Sequence, residues 1–71
     1  MTVTLYTRRG CHLCDEAKQA IDSARRRSAF EYQEFDIDAD PKLREMYNEE
    51  VPVITIDGAR ATVEELRRRV S

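Results

Sequence analysis

In 71 residues the chain has no tryptophan, one histidine, two cysteines, two glycines and two prolines, and the scarcities narrow what it can be. A structural zinc site takes about four Cys, His or carboxylate ligands. Cys11, Cys14 and His12 are too few, with no second C-x-x-C and no H-x-x-x-H, so no metal is expected within one copy and zinc would need a dimer. Two cysteines also fall short of the several bridges that staple small secreted scaffolds, and no signal-peptide pattern opens the chain, so a cytoplasmic protein is expected. No apolar run approaches the roughly 20 residues of a membrane span, which argues against a membrane partner. An excess of one charge is missing too: 12 basic against 14 acidic residues leave a net charge of -2. Arg25-Arg26-Arg27 and Arg67-Arg68-Arg69 each close a helical pattern, where cations complement the dipole, so nucleic acid is not an expected partner. There is room for one small domain over residues 1–71, with one core, no linker and no internal repeat.

What the chain does have is Gly10-Cys11-His12-Leu13-Cys14, both cysteines at C-x-x-C spacing between a strand-like run and a helix-like pattern. A thiol at a helix start faces unpaired backbone N–H groups and the positive end of the dipole, which lowers its pKa. A second thiol one turn on can close a small, reversible disulfide, so the pair reads as a redox site.

Thr2 to Thr7 reads as a strand, with Val3 and Leu5 on one face and Thr4 and Tyr6 on the other. From Cys11 to about Arg27, Leu13, Ala17, Ala20, Ile21 and Ala24 follow helical spacing. Phe30 to Ile37 reads as a second strand, parallel to the first through a right-handed crossover. Asp36, Asp38 and Asp40 imitate a calcium loop but fail its test. Counted from Asp36, the sixth position is Pro41 and the twelfth Tyr47, where an EF-hand needs Gly and Glu. Asp40 instead reads as the cap of a short helix with Pro41 at its first position and Leu43, Met46 and Tyr47 on its apolar face. Val51 to Ile56 predicts a strand buried on both faces, Asp57-Gly58 a hairpin turn, and Ala59 to Ala61 a short edge strand. Thr62-Val63-Glu64-Glu65 is a capping box opening a last helix with Val63, Leu66 and Val70 inward.

This order, with Cys11-His12-Leu13-Cys14 after the first strand and Val51-Pro52 before the third, resembles the thioredoxin-fold glutaredoxins over nearly the whole chain. It is similar in particular to compact glutaredoxin-like proteins with a Y-T-R-x-G-C-H-L-C-D-E-A start and a D-I-D-A-D-P-x-L-R-E segment, here residues 6–17 and 36–45. The resemblance implies an α/β thioredoxin-like fold of order βαβαββα, a four-stranded mixed sheet flanked by three helices. It implies a thiol–disulfide oxidoreductase, a monomer, with Cys11 the exposed nucleophile, Cys14 the resolving thiol and Pro52 a cis-proline beside the disulfide. Arg8 takes the place of the basic residue that contacts a glutathione carboxylate, and Val51 would offer its backbone to the cysteinyl part. The Gly-Gly pair and the acidic or hydroxyl residue that hold the glutamyl carboxylate are missing: Gly58 stands alone before Ala59-Arg60-Ala61. The expectation is therefore no bound cofactor, disulfide-containing proteins as substrates, ribonucleotide reductase among them, and glutathione or a flavoprotein thioredoxin reductase as electron donor. The alternative is a dimer bridging an iron-sulfur cluster through Cys11 and external thiols. His12, in place of the usual proline, either tunes the Cys11 thiolate as a cation or makes a surface contact.

Overall fold

The computed structural model describes residues 1–70. β1 (Thr2–Thr7) is rich in β-branched residues, and its alternation sends Val3 and Leu5 fully into the interior. α1 (His12–Arg27) starts from Cys11 as its cap and ends with three arginines in its last turn, where they complement the dipole. β2 (Glu31–Asp36) is shorter than the expected Phe30 to Ile37. At its end the Asp36 carboxylate accepts a hydrogen bond from the Asp38 N–H at 2.9 Å and turns the chain into a single 3₁₀ turn, Ile37–Ala39. Ile37 is buried from that turn rather than from the strand.

Asp40 caps α2 (Pro41–Tyr47) as expected, accepting from the Lys42 N–H at 2.9 Å. Only Leu43 and Tyr47, spaced i and i+4, are half-buried, whereas Met46 faces solvent. β3 (Val53–Ile56) begins two residues later than the sequence suggests, since Pro52 has no N–H to give a ladder; Thr55 is half-exposed and its neighbours are buried. Asp57 (φ 52°) and Gly58 (φ 85°) both take positive φ, the hallmark of a type I′ hairpin, and deliver β4 (Ala59–Ala61). α3 (Val63–Val70) is capped by the Thr62 hydroxyl, which accepts from the Glu65 N–H at 3.2 Å.

The strands lie in the order β2-β1-β3-β4, with β1 and β2 parallel and the other neighbours antiparallel. Val3, Leu5, Ile54 and Ile56 share one face, and Ala17, Ile21 and Ala24 of α1 and Leu66 of α3 close over them. Tyr6 points to the other face, where its ring lies 4.7 Å from that of Tyr47 in α2 and 5.8 Å from that of Phe35 in β2. The parallel β1-α1-β2 unit thus ends β1 where α1 begins, which sets the two cysteines at one end of the sheet.

Candidate active site

Gly10, at φ 74°, makes the bend that brings the chain from β1 into α1, a conformation that costs a residue with a Cβ. Cys11 follows in extended geometry (φ -88°, ψ 107°), its Sγ accepting from the Cys14 N–H at 3.2 Å. A cysteine sulfur thus does the work usually given to a Ser or Asp cap, and it lies in the field of the unpaired N–H groups of the first turn. Cys11 and Cys14 are joined in a disulfide, with their Cα atoms 5.1 Å apart. The two differ in access: Cys11 is half-buried, and Cys14 is wholly enclosed. An external thiolate therefore meets the Cys11 sulfur first.

Arg8 finds its anion inside the chain. Its Nε and Nη2 donate to the two carboxylate oxygens of Asp38, each at 3.0 Å, and its Nη1 and Nη2 donate to the backbone carbonyl and side-chain oxygen of Asn48 at 2.9 and 2.8 Å. Four of the five guanidinium N–H groups are thus occupied by protein. Arg44 adds to the same carboxylate at 3.3 Å. The Arg8 hydrogen bonds hold the Asp38 carboxyl below its ordinary range, and Arg44 assists. This cluster fastens the end of β1 to the 3₁₀ turn and to the C-terminal end of α2.

His12 is 87% exposed, and its Nε2 lies 3.8 Å from the Glu16 carboxylate one turn on, an i,i+4 surface pair. Val51 and Pro52 are half-buried and joined by a cis peptide bond just before β3. Pro52 and Leu13 line a groove of about 900 Å³ that runs from the C-x-x-C end between α1 and α3, with Ala17, Ala61, Thr62 and Arg67 along it. Leu13 is a correction to the sequence reading: it is 60% exposed, and Cys14 takes the inward position instead. Sequence reasoning also passed over Thr7, whose hydroxyl is buried without a hydrogen-bond partner. The signal was available, since Thr7 continues the inward alternation of Val3 and Leu5.

The chain matches the family model of the glutaredoxin-like domain (DUF836) over residues 2–71. Among solved structures it is similar to the X-ray structure of the structural-genomics target XcR50 from X. campestris, at 33% identity and a TM-score of 0.71, covering 94% of this chain and 92% of that one. The crystal structure of a threonine-to-alanine mutant of the thioredoxin-like protein BC3987 gives a TM-score of 0.72 at 21% identity, covering 97% and 99%. The X-ray structure of Fasciola hepatica thioredoxin gives 0.64 at 15% identity, covering 97% of this chain and 76% of that one, a likeness of fold. No curated protein matches in sequence. The fold is thioredoxin-like, and its C-x-x-C pair fits a thiol–disulfide oxidoreductase. A match over all but the first residue, joined to a solved structure one-third identical, shows that the chain belongs to the glutaredoxin-like domain family DUF836.

Proposed function

We propose that the protein is a dithiol thiol–disulfide oxidoreductase in which Cys11 attacks substrate disulfides and Cys14 resolves the product. The observation that carries this reading is the unequal access of the two sulfurs, one half-buried at a helix N-terminus and the other enclosed. In the reduced protein the Cys11 thiolate attacks one sulfur of a substrate disulfide, forming a Cys11 mixed disulfide and expelling the other half as a thiolate. Cys14 then loses its proton to the departing thiolate or to solvent and attacks Cys11 Sγ. The Cys11–Cys14 bond forms, the substrate leaves as a dithiol, and two electrons have passed to it. An external dithiol reverses the sequence.

For the electron donor, the favoured reading is a protein dithiol system such as a flavoprotein thioredoxin reductase rather than glutathione. Arg8, the one basic residue the family resemblance assigns to a glutathione carboxylate, is already bonded to Asp38 and Asn48, and Gly58 stands alone where the resemblance would need a Gly-Gly pair. Reduction of the oxidised protein by glutathione with glutathione reductase, compared with thioredoxin reductase, tests this. Faster reduction by glutathione would overturn it.

Substitution tests the mechanism. Cys14→Ser is expected to trap a stable mixed disulfide at Cys11 with substrate proteins, visible as a mass increase that dithiothreitol removes, while Cys11→Ser traps none. If Cys14→Ser instead reduces low-molecular-weight mixed disulfides as fast as wild type and captures no protein, a monothiol role replaces the dithiol one.

A further inference from the structure

The two arginine triplets stand at one pole of the molecule. β3 runs antiparallel to β1 and β4 antiparallel to β3, so β4 runs toward the cysteines as β1 does, and α3 leaves that end alongside α1. Arg25-Arg26-Arg27 and Arg67-Arg68-Arg69, each in the last turn of its helix, therefore meet at the end far from Cys11, all of them exposed. A helix dipole accounts for cations in one last turn. Two such turns side by side put half of the chain's 12 basic residues together, in a protein of net charge -2, and like charges repel. Arg25 lies over the Tyr32 ring at 5.3 Å, and the Arg26 Nε donates to the Asp22 carbonyl at 3.5 Å. Arg27, Arg67 and Arg68 instead line a pocket of about 320 Å³ between the two helix ends.

That pocket continues the groove that opens at the disulfide, the two sharing Ala20, Ser23 and Arg67 as walls. Together they form one channel, graded along its length. Leu13 and Pro52 stand at the sulfur end, Ala17, Ala20, Ile54 and Val63 give an apolar middle with Gln19 and Ser23 beside it, and the arginines close the far end. From Leu13 to Ser23 the helix rises about 15 Å. Both acidic side chains along the channel are engaged: Glu16 lies 3.8 Å from His12 at the mouth, and Glu64 lies 3.3 Å from Arg67. The Arg67–Glu64 pair is exposed and worth little, so a phosphate displaces it at small cost. Arg27 has no ion pair or hydrogen bond among the described residues. A matching ligand carries a sulfur at one end, a mostly apolar arm, and an anion about 15 Å away. An extended polypeptide fits the middle poorly, because the helices that wall it have their backbone groups already paired and a peptide amide at every residue would go unmatched.

We propose that the channel binds coenzyme A, presented as a disulfide, with its sulfur at Cys11 and its phosphates against Arg27, Arg67 and Arg68. This assignment rests on the exchange mechanism above and gives it a substrate. The arm of coenzyme A carries only a pair of amides and a gem-dimethyl group, and about 13 bonds separate its sulfur from the nearer phosphorus, roughly 15 Å at the reach of an extended chain. Gln19 and Ser23 offer donors and acceptors to the amides. The Cys11 thiolate attacks the coenzyme A sulfur, a bond forms between the two sulfurs, and the other half of the disulfide leaves as a thiolate. Cys14 loses its proton to that thiolate or to solvent, attacks Cys11 Sγ and releases coenzyme A as its thiolate. The substrate gains two electrons, the protein ends as the Cys11–Cys14 disulfide, and an external dithiol restores it.

The test follows single-turnover oxidation of the reduced protein, quenched with acid and read by mass spectrometry. The oxidants are coenzyme A disulfide, pantethine, which is the same arm without phosphate, and hydroxyethyl disulfide as a measure of exchange itself. Coenzyme A disulfide is expected to react about tenfold faster than pantethine, and Arg27→Gln with Arg67→Gln should remove most of that ratio, since guanidinium–phosphate contacts are lost. Arg27→Lys with Arg67→Lys should recover part of it. Arg26→Gln with Arg69→Gln takes as much charge from the same pole outside the channel and should leave most of the ratio. Equal rates for coenzyme A disulfide and pantethine overturn the proposal. An equal loss in Arg26→Gln with Arg69→Gln also overturns it, because the attraction is then diffuse. So does an arginine-dependent preference for the disulfide of an acidic cysteine peptide with none for coenzyme A, which would make the channel a peptide site. If none of these disulfides oxidises the protein, hydroxyethyl disulfide included, the exchange mechanism fails. Desulfo-coenzyme A, which has no thiol, then decides on the channel: backbone chemical-shift changes at Ser23, Arg27 and Arg67 support it, and their absence overturns it.

Discussion

On the face of the sheet under α1 and α3, Val3, Leu5, Ile54 and Ile56 meet Ala17, Ile21, Ala24 and Leu66 in a closed apolar cluster. On the opposite face Tyr6 stacks with Phe35 and packs at a tilt against Tyr47, Phe35 is 42% exposed, and α2 is secured by the ion cluster of Arg8, Asp38 and Arg44. Apolar burial is non-directional and supplies free energy, whereas multiply bonded charges near solvent supply little energy and much geometry. The first face holds the molecule together. The second fixes where β1 ends, and with it the approach to Cys11.

The comparison breaks first, if it is wrong, at Leu66. That side chain is wholly buried on the only described helix packing beside α1 on this face. Leu66→Ala should cost about 2–5 kcal/mol, a large share of the stability of so small a domain. Its counterpart on the other face, Phe35→Ala, should cost about 1 kcal/mol, the worth of a half-exposed aromatic pair. Denaturant midpoints of the two variants measure the contrast. Equal losses would mean that the α2 face carries as much of the fold as the α1 face.

The two faces also differ in how far the sequence revealed them. β1, the Asp57-Gly58 hairpin, the Asp40 cap and the Thr62 cap were legible because their chemistry is local: alternation, a turn needing positive φ, a side-chain oxygen within three residues of the N–H it serves. Helical spacing was less decisive. Leu13, Ala17, Ala20 and Ala24 fit one stripe and Cys14, Ala17, Ile21 and Ala24 another, so periodicity alone could not tell that Cys14 turns inward and Leu13 outward. The same ambiguity put Met46 on the wrong side of α2. Arg8 was opaque for a different reason. Its partners Asp38 and Asn48 lie 30 and 40 residues away, and only the folded chain brings them to the end of β1.

The smallest expected effect is the most specific to the polar face, and it is a pH dependence. Asp38 is held below its ordinary value of 3.8 by the Arg8 hydrogen bonds first, with Arg44 assisting. A carboxyl whose folded pKa is depressed contributes stability that is present above the unfolded value and is lost as pH falls through the folded one. Asp38→Asn keeps the shape and removes the charge. At neutral pH it should therefore unfold at slightly lower urea than wild type, and the gap should shrink as the pH falls below about 4, where the wild-type carboxylate itself takes up its proton. High salt should narrow the gap at neutral pH too, because the pair is near solvent. Leu66→Ala, in contrast, should show a deficit that neither acid nor salt reduces in this way. A gap for Asp38→Asn that stays constant from pH 7 to pH 3 would mean that the carboxylate matters for its shape and not its charge, and the distinction between an apolar face and an electrostatic one would fail.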